Sequence, residues 1–379
     1  MVCSPELQLI IDLCALLSKN VFDSDLQEKC SHTYDWEHFL RCAASENVSG
    51  IIFYVLKKRG LLESIPQEVS EKLEHEFLGI KSKNLLLMDE LKSVSRIFEE
   101  EKIPALIIKG AALLSLCYPD KGMRVMDDID IVVGQEQFAY VQNLLREKGY
   151  RQNSIYRHLF YAPSGIVFDL HADAFDQERI RTRKYYCQWD MQTMLARAVS
   201  IDDMIYVKNI SPPDQVVISC IHNEKHSYNS LQQFIDVVML LERYKDGINC
   251  GTLHESIDML GGRRPSRFTL EFLRDVLQYK SPLLGCSGIN TVKLSGYEKK
   301  ILSMVKERRR IPMLGIIMPI FSIDGCLKKL YYVGENVFPR PKVMKEIYGL
   351  SSGVYLIYFY PYRFFSLCVQ GVKALCKCL

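Results

Sequence analysis

The sequence predicts an α+β protein in which a small mixed sheet is flanked by N-terminal and C-terminal helical regions. Three observations carry that prediction. In the first hundred residues apolar positions recur at three and four, as in amphipathic helices. From Ile103 onward the pattern changes to short apolar runs broken by Gly and Pro, with helix-like stretches between them. After Phe175 helical spacing returns, in segments bounded by Pro, Gly or Asn. The expected division is an N-terminal helical region over residues 1–100, a sheet-bearing core over 101–200, and a C-terminal helical domain over 201–379.

Taken in order, "PELQLIIDLCALL" reads as a helix, and "YDWEHFLRCAASENVSGIIFYVLKKRG" as two helices joined around Ser45 to Ser49. Pro66 opens a longer helix at a position suited to proline. Val69, Leu73, Phe77, Ile80, Leu87, Leu91, Val94 and Phe98 form its apolar stripe, interrupted by Asn84. In the core, "IPALIIKG" reads as a strand ending at glycine, "AALLSLCY" as a helix, "PDKGMR" as a loop and "VMDDIDIVV" as a second strand. An amphipathic helix, "QEQFAYVQNLLREKGY", follows. "RHLFYA" and "IVFDLHAD" then alternate around "PSG" as a hairpin. Strand, helix, strand, helix, strand, strand is a small α/β unit with a mixed sheet. Four further helical segments begin at Pro212, Leu231, Leu253 and Pro265, and no internal repeat is evident.

Composition narrows the class. At 379 residues, 48% hydrophobic and 25% charged, the chain has the balance of a globular protein with ample core. A net charge of +3 gives no broad electrostatic footprint for nucleic acid. The 13 cysteines are scattered singly with no CxxC pair, which predicts reduced thiols in a cytoplasmic setting, used as small core residues. No segment reaches the ~18 to 20 apolar residues of a membrane span, and the N-terminus carries acids where a signal peptide is basic. The aromatic-rich last segment reads as a docked terminal helix, with a membrane surface as the alternative.

The chemistry concentrates in "VMDDIDIVV". Alternate strand residues share a face, so Asp128 and Asp130 project together while Ile129 and Ile131 point to the core. Carboxylates that close repel each other unless a proton or cation intervenes. Magnesium, held by carboxylates together with substrate phosphates, is the usual cation, and two such ions clamp the oxygens of a phosphoryl displacement. Asp169 in "IVFDLHAD" is placed to supply a third carboxylate, with His171 on the same face. Just upstream, Gly110 lies at a strand-to-helix junction where backbone N–H groups meet phosphate oxygens. Lys109 and Arg124 flank it.

This grouping resembles nucleotidyltransferases related to DNA polymerase β, with a Gly-[Gly/Ser] helix start, a strand with Asp-x-[Asp/Glu] and a later Asp. More closely, "IIKGAALL…YPDKGMRVMDDIDIVV" resembles the uncharacterised nucleotidyltransferase family marked by an LKG-type turn and R…DIDLLV. "FDLHAD", "SPPDQVVISCIHNEKH" and "FIDVVMLL" are similar to that family's flanking segments, so the likeness runs from Asp35 to Tyr360. Ala111 departs from the superfamily turn by lacking a second glycine or a hydroxyl, and the gap from the turn to Asp128 is long. The resemblance implies Asp128, Asp130 and Asp169 as metal ligands and catalytic residues for two Mg2+. It implies Lys109, Gly110, Ala111, Arg124 and His171 as the seat of an NTP, with ATP the expected donor. The implied reaction moves an NMP group to an acceptor (small molecule, sugar, protein or RNA end) and releases pyrophosphate. A non-catalytic nucleotide- or protein-binding member of the fold is the alternative, and a phosphotransferase a third.

Other candidates fare less well. His222 and His226 in "HNEKH" are four apart, but a metalloprotease needs glutamate where Asn223 stands. They read instead as interdomain hydrogen-bonders or as lining the acceptor side of the cleft, with Asp236 paired to one of them or on a solvated face. "KERRRIP" reads as a solvated helix end, with favourable contact to the helix C-terminus as the next reading, and "GGRRPSR" as a plain loop, with a basic loop approaching an anionic substrate as the alternative.

Overall fold

The computed structural model describes residues 4–18, 24–286, 292–350, 353 and 356–378. The N-terminal region comprises α1 (Pro5–Ala15), α2 (Ser24–Cys30), α3 (Trp36–Ser45), α4 (Ser49–Arg59) and the 34-residue α5 (Gln67–Glu100). Local signals set these limits: Ser4 and Asp35 cap α1 and α3 with side-chain oxygens, and Gly60 closes α4 in the left-handed conformation at φ +68°. Next come β1 (Ala105–Ile107), α6 (Lys109–Leu116), β2 (Asp128–Val133), α7 (Phe138–Glu147), β3 (Arg151–Gln152), β4 (Leu159–Tyr161) and β5 (Val167–His171). They are followed by α8 (Met191–Arg197), β6 (Val199–Ile201), β7 (Met204–Asn209), α9 (Pro212–Lys225), α10 (Leu231–Arg243), α11 (Cys250–Leu260) and α12 (Arg263–Asp275). The longer helices beyond are Gly296–Lys306, Cys326–Val337, Pro341–Tyr348 and Leu356–Cys378.

The seven strands form one mixed sheet in the order β3-β4-β5-β2-β1-β7-β6. β2 lies at its centre, antiparallel to β1 and parallel to β5. The predicted hairpin is β4–β5. β3 and the β6–β7 hairpin were not expected, and β7 pairs parallel with β1. The sheet therefore continues to Asn209, past residue 200 where the sequence placed the end of the core.

The stripe of α5 is buried except for the half-buried Ile80, and its one polar member has a task. Asn84 is fully buried and its amide donates to the carbonyls of Lys121 and Arg124 at 2.6 and 2.7 Å. From the other side, the Gln232 side chain on α10 accepts from the Val125 N–H and donates to the Val125 carbonyl. Gly122 admits no Cβ, because the Phe77 ring lies 2.6 Å from where one would sit. The segment entering β2 is thus clasped between N-terminal and C-terminal helices.

Three expectations are corrected. Cys250 and Cys286 form a disulfide with Cα atoms 5.5 Å apart, so the thiols are not uniformly reduced, although eight described cysteines are free. "GGRRPSR" is no loop: Arg263 to Arg267 form the first turns of α12, with Arg263 on Asp258, Arg264 on Glu298 and Arg267 on Glu271. In "KERRRIP", Arg308 is buried against Glu46 rather than solvated. The terminal helix is held through Arg363 on the Asn336 carbonyl and Tyr360 on the Pro339 carbonyl. It nevertheless leaves Ile357, Tyr358, Tyr362 and Phe365 exposed, so it is only partly docked. No single helix among the described residues is long and apolar enough to cross a membrane.

Candidate functional site

The parallel register of β2 and β5 sets Asp130 directly opposite Asp169, and Asp128 opposite Val167. Ile129 and Ile131 are buried on the opposite face, as strand alternation requires. His171, two residues beyond Asp169 on the same face, brings its Nε2 to 2.9 Å from Asp130 Oδ1 and 3.1 Å from Asp169 Oδ2. Its Nδ1 lies 3.2 Å from Asp176 Oδ1. Burial and the Lys109 charge oppose protonation of this imidazole, but the facing carboxylates overcome both and raise its pKa well above the usual range.

Lys109 occupies the strand-to-helix turn at φ +52°, a left-handed conformation uncommon outside glycine. Its backbone N–H donates to the buried side chain of Gln215 on α9. The turn aims its ammonium at Asp130 Oδ1, 2.5 Å away. Burial alone pushes the Asp130 carboxyl up, and Lys109 with His171 outweighs it, holding the group well below the carboxylate range. Asp128 lacks such partners. Burial, then the charges of Asp130 and Asp169, push it up to about 6.

Lys109, Gly110, Arg124, Asp128, Asp130 and Asp169 line one cavity of about 350 Å³, together with His222, Lys225 and His226. A Cβ at Gly110 would lie 2.9 Å from Met126 Sδ and 3.2 Å from Arg124 Nη1, so those two side chains would have to shift to admit one. Ala111 is buried and does not line this cavity. His222 and His226 stand with ring centroids 4.2 Å apart; burial leads in lowering both, the second to about 4, so both are neutral at pH 7. Asp236 pairs with neither and is not solvated. It accepts from Arg124 Nε and Nη2 at 2.8 and 2.9 Å and from the Tyr118 hydroxyl at 2.7 Å, all buried. The Arg124 charge is therefore already matched.

Among the described residues, Asp130, Asp169 and His171 form the group whose ligand atoms converge within 4.8 Å. Asp169 Oδ1 is buried without a hydrogen-bond partner, with His158 Nε2 4.0 Å away. The orphaned Asp169 oxygen and the carboxylates of Asp130 and Asp128, the last unmatched by any cation among the described residues, fit a hard divalent cation, whose ligands are oxygens. Sequence reasoning missed Asp176 and Lys225. Lys225 on α9 and Arg183 both meet Asp176, which backs His171 just beyond the end of β5. Asp176 sits in a left-handed turn at φ +54°, outside the strand period that revealed Asp169.

The family description that matches this chain is "Uncharacterised nucleotidyltransferase", over residues 32–278. The chain belongs to that family. The family gives it a nucleotidyltransferase assignment at a general level and implies a nucleotide partner. No curated protein matches the chain. Among solved structures it is similar to the crystal structure of an antigenic nucleotidyltransferase-like protein from Paracoccidioides brasiliensis, at 16% identity over 55% of this chain and 98% of that one. The TM-score of that pair is 0.34.

Proposed function

We propose that this family member is a metal-dependent nucleotidyltransferase that moves an NMP group from an NTP, with ATP the expected donor, to an acceptor hydroxyl. The observation that carries the reading is the register pairing of Asp130 with Asp169, with Asp128 on the same strand face as Asp130 and the Lys109–Gly110 turn lining the same cavity. In this reading Asp128, Asp130 and Asp169 hold two magnesium ions, which when bound supply charge neutralisation and Lewis acidity at the phosphates. The Gly110 backbone and the Lys109 ammonium seat the phosphate tail. Asp169, with its free buried oxygen, takes the acceptor proton. His171, fixed from behind by Asp176, keeps the two carboxylates in register. Positioning and charge matching do most of the work, as is usual for phosphoryl chemistry.

A second reading, a non-catalytic nucleotide binder, is favoured by one observation: Lys109 and His171 already satisfy Asp130, and Asp236 already satisfies Arg124. Magnesium-dependent ATP binding without pyrophosphate release would select it. Incubation with α- and γ-labelled ATP also separates nucleotide transfer from transfer of the terminal phosphoryl group. A cytoplasmic setting belongs to the same proposal, supported by the free thiols and opposed by the Cys250–Cys286 bond.

A further inference from the structure

A second cleft, of about 410 Å³, opens on the other side of the carboxylate cluster. It shares Asp169 and Lys225 with the first cavity, and His171 lines it as well. Its outer wall comes from α7, the approach to β4, and the start of the helix Pro341–Tyr348. We infer that this second cleft binds the acceptor, and that the acceptor is a small hydroxylated molecule bearing a phosphate group. The inference rests on the nucleotidyltransferase reading and adds the substrate class.

The charges facing the cleft support an anionic ligand. Asp173 is taken up by the backbone N–H groups of Phe175 and Gln177, and Asp176 by Lys225, Arg183 and His171. Glu346 meets Arg179, while the exposed Glu178 lines the cleft with no ion pair among the described residues. By contrast, no carboxylate pairs with Arg146, Arg157 or Lys342 among the described residues, and all three are exposed at the cleft; Arg146 donates to the Asn143 side chain. Arg340 donates only to the carbonyls of Glu178 and Arg179, and its Nε is buried without an acceptor. An orphaned guanidinium nitrogen in a cleft where three unpaired cations outnumber one unpaired glutamate is an arrangement that phosphate oxygens complete. The volume suits a small molecule rather than a polymer.

The shared residue gives the geometry a chemical meaning. A ligand anchored at Arg157, Arg340 and Lys342 extends its hydroxyl towards Asp169, which borders the nucleotide cavity. The hydroxyl oxygen forms the new bond to the α-phosphorus of the NTP. The bond from that phosphorus to the bridging oxygen breaks, pyrophosphate leaves with the electron pair, and the hydroxyl proton passes to Asp169 and on to water.

The test is calorimetric titration of the full chain with inorganic phosphate and, separately, with magnesium and a non-hydrolysable ATP analogue. Three proteins are compared: wild type, Arg157→Gln/Lys342→Gln, and Asp130→Asn. Phosphate affinity is expected to fall at least tenfold in the double variant, with analogue affinity unchanged, and to persist in wild type saturated with the analogue. Absence of phosphate binding to wild type, equal affinity in the double variant, or displacement of phosphate by the analogue would each overturn the inference. Failure of the nucleotide reading looks different: the analogue would not bind, or would bind Asp130→Asn as tightly as wild type, while the phosphate arm still gives its own answer.

Discussion

Asp130 and Asp169 face each other across the parallel β2–β5 pair, and the His171 Nε2 lies within hydrogen-bonding distance of both. A buried and a half-buried carboxylate are bridged by one imidazolium, with a lysine on the buried one and a third carboxylate left unmatched at their side. That imbalance leads to the first prediction.

Asp128 is raised to about 6 from 3.8, so between those values the folded protein binds a proton that the unfolded chain releases. Stability contributed by this group therefore falls as pH rises through that window and stays lower above it. Asp128→Asn should raise the melting temperature in metal-free buffer at pH 7.5 and change it little at pH 4. The full effect is at most about 3 kcal/mol, at 1.36 kcal/mol per pH unit. Thermal denaturation across pH checks it, and an equal shift at both pH values would contradict it.

The buried Arg124–Asp236 pair joins the segment entering β2 to α10. Asp236→Asn leaves a guanidinium uncompensated in the interior and should destabilise the protein by roughly 3–5 kcal/mol. Replacing both partners with apolar residues should restore much of that loss. Urea unfolding of the two variants distinguishes a pair that sets position from one that supplies net stability.

Asn84→Ala removes donors from two carbonyls, at Lys121 and Arg124, and should cost about 1–3 kcal/mol. Because the clasped segment leads straight into Asp128, the same variant should also weaken magnesium-dependent binding of an ATP analogue. Unchanged analogue affinity would separate the clasp from the site.

The parts of this arrangement that were legible in the sequence are those governed by local periodicity. Period two placed Asp128, Asp130, Asp169 and His171 on facing strands, and the glycine at the end of "IPALIIKG" marked the turn. The β6–β7 hairpin was hidden because its turn residue, Asp203, adopts φ +63° without glycine, and its short strands lie between helices. Arg124 and Asp236 are 112 residues apart, and nothing local couples them, so Arg124 was read as a free phosphate ligand. Asn84 looked like a flaw in an apolar stripe because its partners are backbone carbonyls, which leave no trace in side-chain patterns. Lys225 and Asp176 were missed for a related reason: they lie 49 residues apart, and only the fold brings the end of α9 to the turn after β5.

The most direct measurement follows label from α-labelled ATP, with magnesium and a small-molecule extract, in wild type and in Asp130→Asn, each checked for folding by circular dichroism. The account predicts magnesium-dependent labelling of an acceptor and release of unlabelled pyrophosphate by wild type, with at least a hundredfold loss in the folded variant. Transfer by Asp130→Asn at the wild-type rate would contradict it.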